Sequence, residues 1–399
     1  MKGFTLAICG FTAAATTGVQ GLGLRVPDQD AKAMARGNAF AATADNPSAV
    51  YYNPAGIAQL EGHQIRNGGY LISVQDTFTA LNGAETRTKD RPQFVPQFYY
   101  TYGNTNWPVS LGAGVYAPYG LGMQWPDDGP FRQSATRGSL EYLTFQPVVA
   151  WKAHPTFSLA AGPTVSYGKV DLRRGILPVN RGDEFRFTGD DFNVGFSLGL
   201  LWKPLEQHAF GLVYRGPSKM DFGGKTYLGG GPVPGRVESA GAEMDFPQQM
   251  VAGYSFRPTP KWNLEFNADW TDWDTLNTVS LNQTGPLALA PVPLPFNYQA
   301  SLLYEWGVTR YFERGWSVSG GYIYSQNSIP SAFFSPSVPD SDRHVFSLGV
   351  GRQYEHLRWD AAYQFAWGPG REVASADPSA TGRYSFNSHA IALSIGYAF

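Results

Sequence analysis

From residue 63 onward the chain repeats one device: apolar and polar side chains alternate with a period of two, the spacing of a strand with two different faces. The last segment shows it plainly. Ile391, Leu393, Ile395, Tyr397 and Phe399 share one parity, and Ser394 and Gly396 share the other. In 357–367, Leu357, Trp359, Tyr363, Phe365 and Trp367 face one way, against Arg358, Asp360 and Gln364. In 192–202, Phe192, Val194, Phe196, Leu198, Leu200 and Trp202 oppose Asn193, Gly195, Ser197 and Gly199. Each strand thus carries a bulky aromatic face opposite one of Gly, Ser, Asn, Glu and Arg. A soluble sandwich would turn the polar face to water and pack the aromatic one inside. A membrane barrel inverts this, with aromatics against lipid and polar groups against a wet lumen. Trp107, Trp151, Trp202, Trp262, Trp306, Trp316 and Trp359 fall near expected strand ends, where interfacial girdles lie.

Strands are expected near 63–79, 92–103, 106–118, 139–153, 156–172, 189–203 and 207–222. Seven more follow near 242–257, 260–278, 294–311, 314–326, 342–354, 356–370 and 386–399. The expected fold is therefore all-β, a fourteen-stranded antiparallel transmembrane β-barrel over residues 61–399. Connections alternate in length. Tight turns fall at 103–106, 153–155, 203–206 and 257–260; long connections lie near 119–138, 173–188, 223–241, 279–293, 327–341 and 371–385. Short periplasmic turns and long external loops are the outer-membrane plan, with both termini periplasmic. The chain ends on Phe399, and an aromatic C-terminus resembles the signal read by the barrel-assembly machinery.

Composition agrees. Charged residues make up only 16 % and aromatics reach 15 %, which suits a barrel with one greasy face. No stretch after residue 20 approaches the roughly 20 apolar residues of a spanning helix. Residues 1–21 read as a secretory signal peptide, with Lys2 in a short basic region ahead of a small-residue apolar core. The single cysteine, Cys9, lies in it, so disulfides and a thiolate nucleophile are not expected. A net charge of −2 gives no reason to expect nucleic acid. The six histidines are scattered, and neither a GxSxG elbow, a P-loop nor a Cys/His cluster occurs. No enzyme, metal or cofactor is expected.

About 40 residues separate the signal from the first strand, where a simple porin would begin its first strand at once. This segment, 22–60, is small and polar and is broken at Asn46-Pro47 and Asn53-Pro54. Barrels of eight strands fill with side chains, and those of 16–18 leave a channel. Fourteen strands leave a lumen that leaks unless something occupies it, so 22–60 is expected to be a plug.

Three further expectations concern its chemistry. Pro96 and Pro147 fall mid-strand on either side of the third strand, and Gly112 and Gly114 lie within it. Because proline cannot donate to a ladder, the wall there is expected to be porous. Tyr119, Leu121, Met123, Trp125 and Phe131 form a greasy cluster after that strand, the expected capture groove. Among lumenal charges, Arg215 or Arg358 could hold a substrate carboxylate, against mutual pairing and contacts to Arg25, Lys32 or Arg36.

Residues 36–48, Arg-Gly-Asn-Ala-Phe-Ala-Ala-Thr-Ala-Asp-Asn-Pro-Ser, followed by Tyr52-Asn53-Pro54-Ala55-Gly56, resemble the hatch of the FadL/TodX family. The Asn53-Pro54-Ala55 triplet is the most specific element; Phe246-Pro247-Gln248-Gln249-Met250 and Trp270-Thr271-Asp272-Trp273 agree with it. That resemblance implies outer-membrane uptake of long-chain fatty acids or aromatic and alkane hydrocarbons. Capture would be by external loops, and release sideways through a gap at a kinked third strand. It also implies a monomer among outer-membrane lipid and lipopolysaccharide. The competing readings are a structural or adhesive barrel and a general porin.

Overall fold

The computed structural model describes residues 23–286 and 288–399. The expected signal peptide and Cys9 lie outside them. From Gly62 the chain forms a closed antiparallel barrel of 14 strands. The first six are β1 (Gly62–Ala80), β2 (Gln93–Gly103, with an outer piece Glu85–Arg87), β3 (Val109–Tyr116, resuming at Leu121–Gln124), β4 (Arg137–His154), β5 (Phe157–Arg174) and β6 (Glu184–Leu205). Four interrupted strands follow: β7 (His208–Arg215 and Ser218–Gly230), β8 (Val233–Phe246 and Gln249–Thr259), β9 (Trp262–Thr271 and Thr278–Gln283) and β10 (Val292–Pro295 and Ser301–Tyr311). β11 (Trp316–Ser325), β12 (Arg343–Tyr354), β13 (Leu357–Val373) and β14 (Gly382–Ala398) complete the wall. It closes where β1 pairs with β14, from Gln64 opposite Ala398 to Ala80 opposite Gly382.

The two faces follow the sequence alternation. On β14, Ile391, Leu393, Ile395 and Tyr397 are exposed outward at 42–55 %, while Ala390, Ala392 and Ser394 are buried. Trp107, Trp151, Trp202, Trp262, Trp306 and Trp316 also point outward. Large apolar side chains outside and small or polar ones inside are what lipid demands of a barrel.

One expected loop is not a loop. Residues 223–241 continue the β7–β8 hairpin, in register from Ser218 opposite Phe246 to Leu228 opposite Arg236. The reversal comes at Gly229, Gly230 and Gly231, all with positive φ. Gly223 and Gly224 interrupt the alternation in the sequence without interrupting the ladder. Likewise, 119–138 contains the short outer piece of β3, paired with β4 from Leu121 opposite Leu140 to Gln124 opposite Arg137.

Residues 24–60 precede the barrel and are buried almost throughout. They form two short helices, α1 (Ala31–Ala35) and α2 (Ala49–Tyr52), then a 3-10 turn, Pro54–Gln59. α1 touches β11, β12, β13, β14 and β1, and the 3-10 turn touches β2 to β6. A segment that meets opposite walls lies within the barrel.

Candidate functional site

Short side chains bring the N-terminal segment against the wall. A Cβ on Gly199 would stand 2.6 Å from Asn53 Oδ1, and one on Gly211 2.1 Å from Ala41 O. Gly112 and Gly114 belong to this set: their absent side chains make room for Val50 and, at Gly112, Ile57. They lie in an unbroken ladder, since Val109–Tyr116 pairs with β4 throughout and Ser110–Val115 with β2. Their small size serves packing, not a breach.

The Asn53-Pro54-Ala55 triplet is a junction. Asn53 Oδ1 accepts from Ala55 N (3.1 Å), capping the 3-10 turn, and Pro54 starts that turn where no N–H is needed. Asn53 Nδ2 donates to Ala41 O (2.7 Å) and to Leu200 O of β6 (2.9 Å). One side chain therefore ties two parts of the segment to the wall.

Charges fix the rest. Arg25 pairs in a fork with Asp269 on β9, at 2.9 and 2.8 Å, and Arg36 with Glu265 at 3.2 Å. Glu265 also accepts from Ala42 N at 2.7 Å. Arg66 of β1 bridges Asp30, the N-cap of α1, and Asp360 at 2.8 Å. Buried ions in such pairs lose water and regain hydrogen bonds only in this geometry. Arg215 donates to Tyr51 O (2.5 Å) and lies over the Tyr51 ring, while Arg358 pairs with Asp360 at 3.1 Å. Both cations singled out from the sequence are thus committed to the protein. A void of about 20 Å³ remains beside Arg25, Arg215, Asp269 and Glu305, room for about one water.

The wall departs from a regular ladder just past Tyr116. β2 and β3 pair from Gly103 opposite Ser110 to Phe98 opposite Val115, and then stop. Continuing that register would set Ala117 opposite Pro96, which has no N–H to give, and Pro118 opposite Val95. The chain instead turns inward. Pro118 O accepts from Val26 N (2.8 Å), and Gly120 N donates to Leu24 O (2.9 Å). Gln29 Nε2 donates to Ala117 O (2.8 Å), and its Oε1 accepts from Ala117 N (3.2 Å). A side-chain amide of the N-terminal segment does here what a neighbouring strand does elsewhere. Gln97 and Tyr99 of β2 reach the same segment, donating to Asp28 O (3.0 Å) and Gln29 O (2.9 Å).

Pro96 therefore stands at the break, but Pro147 does not. Pro147 pairs in register with Ala113. On its other side it faces Pro163, across a lapse in the β4–β5 ladder between Phe145 and Val149, where two rings remove two donors.

Beyond the break, the expected capture residues are not an exposed patch. Tyr119, Leu121, Met123, Trp125 and Phe131 are 0–7 % exposed. Trp125 donates to Pro336 O (2.9 Å), and Phe131 packs on Phe78, Trp125 and Tyr384. The long loops fold over them, which takes their apolar area out of water. Beside this cluster lies an apolar cavity of about 190 Å³, bounded by Leu24, Leu121, Phe187, Phe222, Met244 and Phe296 among others. Of the five, Leu121 alone bounds it. A cavity of about 150 Å³ suffices for benzene in an engineered protein, so this one takes a ring or several methylenes.

Gln29, Arg66 and Asp30 were not anticipated from the sequence. The only trace of Arg66 is a charge at an inward parity of β1, next to Asn67, Gly68 and Gly69.

The family model for outer membrane protein transport protein (OMPP1/FadL/TodX) matches residues 12–399. The chain belongs to this family. The long-chain fatty acid transport protein of Escherichia coli O6:H1 is 22 % identical over 404 residues, covering 90 % of this chain and 89 % of the other. Among solved structures, a Pseudomonas aeruginosa FadL homologue superposes with a TM-score of 0.83 at 19 % identity, covering 94 % of this chain and all of the other (100 %). The Ralstonia pickettii toluene transporter TbuX gives 0.74 at 15 %, covering 94 % and 100 %. At these identities the structural likeness establishes the fold, a FadL/TodX barrel. The family is one of outer-membrane fatty acid and hydrocarbon transporters, and its relatives are transporters and channels rather than enzymes.

Proposed function

We propose that this barrel takes up hydrophobic small molecules passively across the outer membrane, from the apolar cavity to the break beside Ala117. Residues 24–60 serve as the hatch, the long loops face outward, and both termini lie in the periplasm. A greasy molecule gains nothing by crossing a water-filled pore, whereas a gap in the wall delivers it directly to lipid. The observation that carries this reading is the lapse of the β2–β3 ladder after Val115, with Gln29 in place of a strand at Ala117. A general porin needs an open lumen, and here residues 24–60 are buried almost throughout and meet opposite walls. A purely adhesive barrel would need neither the cavity nor the break.

The test is growth. Cells lacking their own fatty acid uptake should grow on oleate when they express this chain, and planar bilayers containing it should conduct little. Failure to grow, or porin-like conductance, would count against the reading.

A further inference from the structure

Three arginines line up across β4, β5 and β6 near their long-loop ends. Arg137 stands opposite Arg173, and Arg173 opposite Arg186. The alternate residues Arg174, Phe185 and Phe187 bound the apolar cavity, so Arg173 and Arg186 stand on the other, outer face of the wall. Arg137 and Arg173 also edge the cavity's mouth, but the Arg173 guanidinium meets Asp171, which holds Arg186 as well, at 2.8 and 2.9 Å. Glu184 lies 3.9 Å from Arg173. Among the described residues, no hydrogen bond or ion pair reaches the Arg137 side chain. The charges acting on it are Asp171 and three cations, Arg173, Arg91 and Arg186. Four arginines thus share two carboxylates, and like charges opposed across a sheet repel.

The strand registers fix the level of this row. The apolar outer face of β4 runs from Leu143 to Trp151, with Phe145 and Val149 between them, all exposed. That is about nine residues, what a tilted spanning strand needs. Leu143 is level with Tyr167 and Phe192. Above them come Glu141, Lys169 and Asp190, of mixed sign, then Ser139, Asp171 and Thr188. The arginines are six residues beyond Leu143, about 20 Å along the strand. At a strand tilt of about 40° this is roughly 15 Å past the apolar boundary, beyond a headgroup layer of roughly 6 Å. The positive charge is local. On the next hairpin, β7–β8, the same face carries Asp221, Glu243 and Asp245 around Lys219.

Phosphate oxygens accept from a planar guanidinium two at a time. Three such groups on adjacent strands, about 5 Å apart, present a strip roughly 10 Å wide. We infer that Arg137, Arg173 and Arg186 dock the phosphorylated inner saccharide core of a lipopolysaccharide molecule packed against β4–β6. The level of the row selects the core over the lipid A phosphates, which lie within the headgroup layer. This surface faces lipid and stands apart from the cargo cavity. It rests on the long loops facing out of the cell, which labelling of Arg137→Cys on intact cells by a membrane-impermeant maleimide checks separately.

Equilibrium titration of the detergent-purified full chain with fluorescent rough lipopolysaccharide bearing a heptose-phosphate core, and with lipid A alone, tests it. Arg137→Gln combined with Arg186→Gln should weaken binding of the core-bearing lipid roughly tenfold or more, the worth of lost charge-assisted contacts. Lipid A binding should stay as in the wild type. Arg173 is kept so that Asp171 retains a partner. Lys219→Gln, on the acidic hairpin, should change neither. Equal binding of the core-bearing lipid by wild type and double variant, or a loss shared with lipid A, would overturn the assignment while leaving the transport reading intact.

Discussion

Gly321 on β11 lies against Gly37 of the N-terminal segment so closely that a Cβ on Gly321 would stand 2.0 Å from the Gly37 nitrogen. Gly37 itself has φ +60°, and a Cβ there would meet the Tyr322 nitrogen at 2.9 Å. Neither backbone can retreat, because one belongs to a hydrogen-bonded wall and the other is held by Arg36 and Asn38. Gly321→Ala should therefore cost about 1–3 kcal/mol, the usual range for overpacking, and loosen the hatch. Gly223→Ala is the control, since nothing lies within 4 Å of its Cβ position. Thermal unfolding in detergent separates the two: a lower midpoint for the first and none for the second.

Glu265 accepts four hydrogen bonds from the N-terminal segment, from Arg36, Ala42 N, Thr43 N and Thr43 Oγ1. Glu265→Ala leaves the buried Arg36 with its hydrogen bond to Asn263 and the face of the Phe40 ring, but no ion-pair partner among the described residues. Removing one member of a buried pair costs about 3–5 kcal/mol. The strand ladder does not depend on it, so the barrel should persist while the hatch loosens. Single-channel recording should then show openings that the wild type lacks.

The parts of this molecule that were legible in the sequence are those set by backbone geometry. Alternation with period two marks the strands over most of their length, because a pleated wall between lipid and lumen needs it. The β7–β8 extension was missed where Gly223 and Gly224 erased the apolar parity, although their ladder is intact. The site was harder. Pro96 signalled a missing donor, and it does stand beside the break. Gly112 and Gly114 lie against Val50 of the N-terminal segment, and Pro147 falls in the β4–β5 lapse. Gln29 and Ala117 are 88 positions apart, and pairings of that kind leave no periodic trace. The greasy run from Tyr119 to Phe131 was visible as apolar, but whether loops would cover it depended on residues 327–341 and 374–381, far away in the chain.

Gln29→Ala should expose the break. Ala117 would lose partners for both its N–H and its C=O, each worth about 1–3 kcal/mol when left buried. Amide exchange read by mass spectrometry should quicken over residues 116–121 and stay slow over 110–115, where both ladders of β3 hold.

The hatch should also respond to alkali. Burial pushes the Lys32 ammonium down to about 8, with Arg358 adding to the fall and Asp45 opposing it. The unfolded chain keeps that proton up to about 10.4, so between these values the unfolded state binds more protons and stability rises with pH. Relative to Lys32→Met, the wild-type melting midpoint should climb from pH 7.5 to 9.5. Parallel profiles would mean that Lys32 keeps its ordinary value.

The proposed route for cargo runs through the wall where β2 and β3 part. Val95→Cys with Pro118→Cys places one thiol on each side of that break, at positions a continued register would oppose. Oleate uptake by cells carrying the pair should stop on oxidation and return on reduction, while each single variant transports throughout. Full uptake with the cross-link formed would contradict the lateral route.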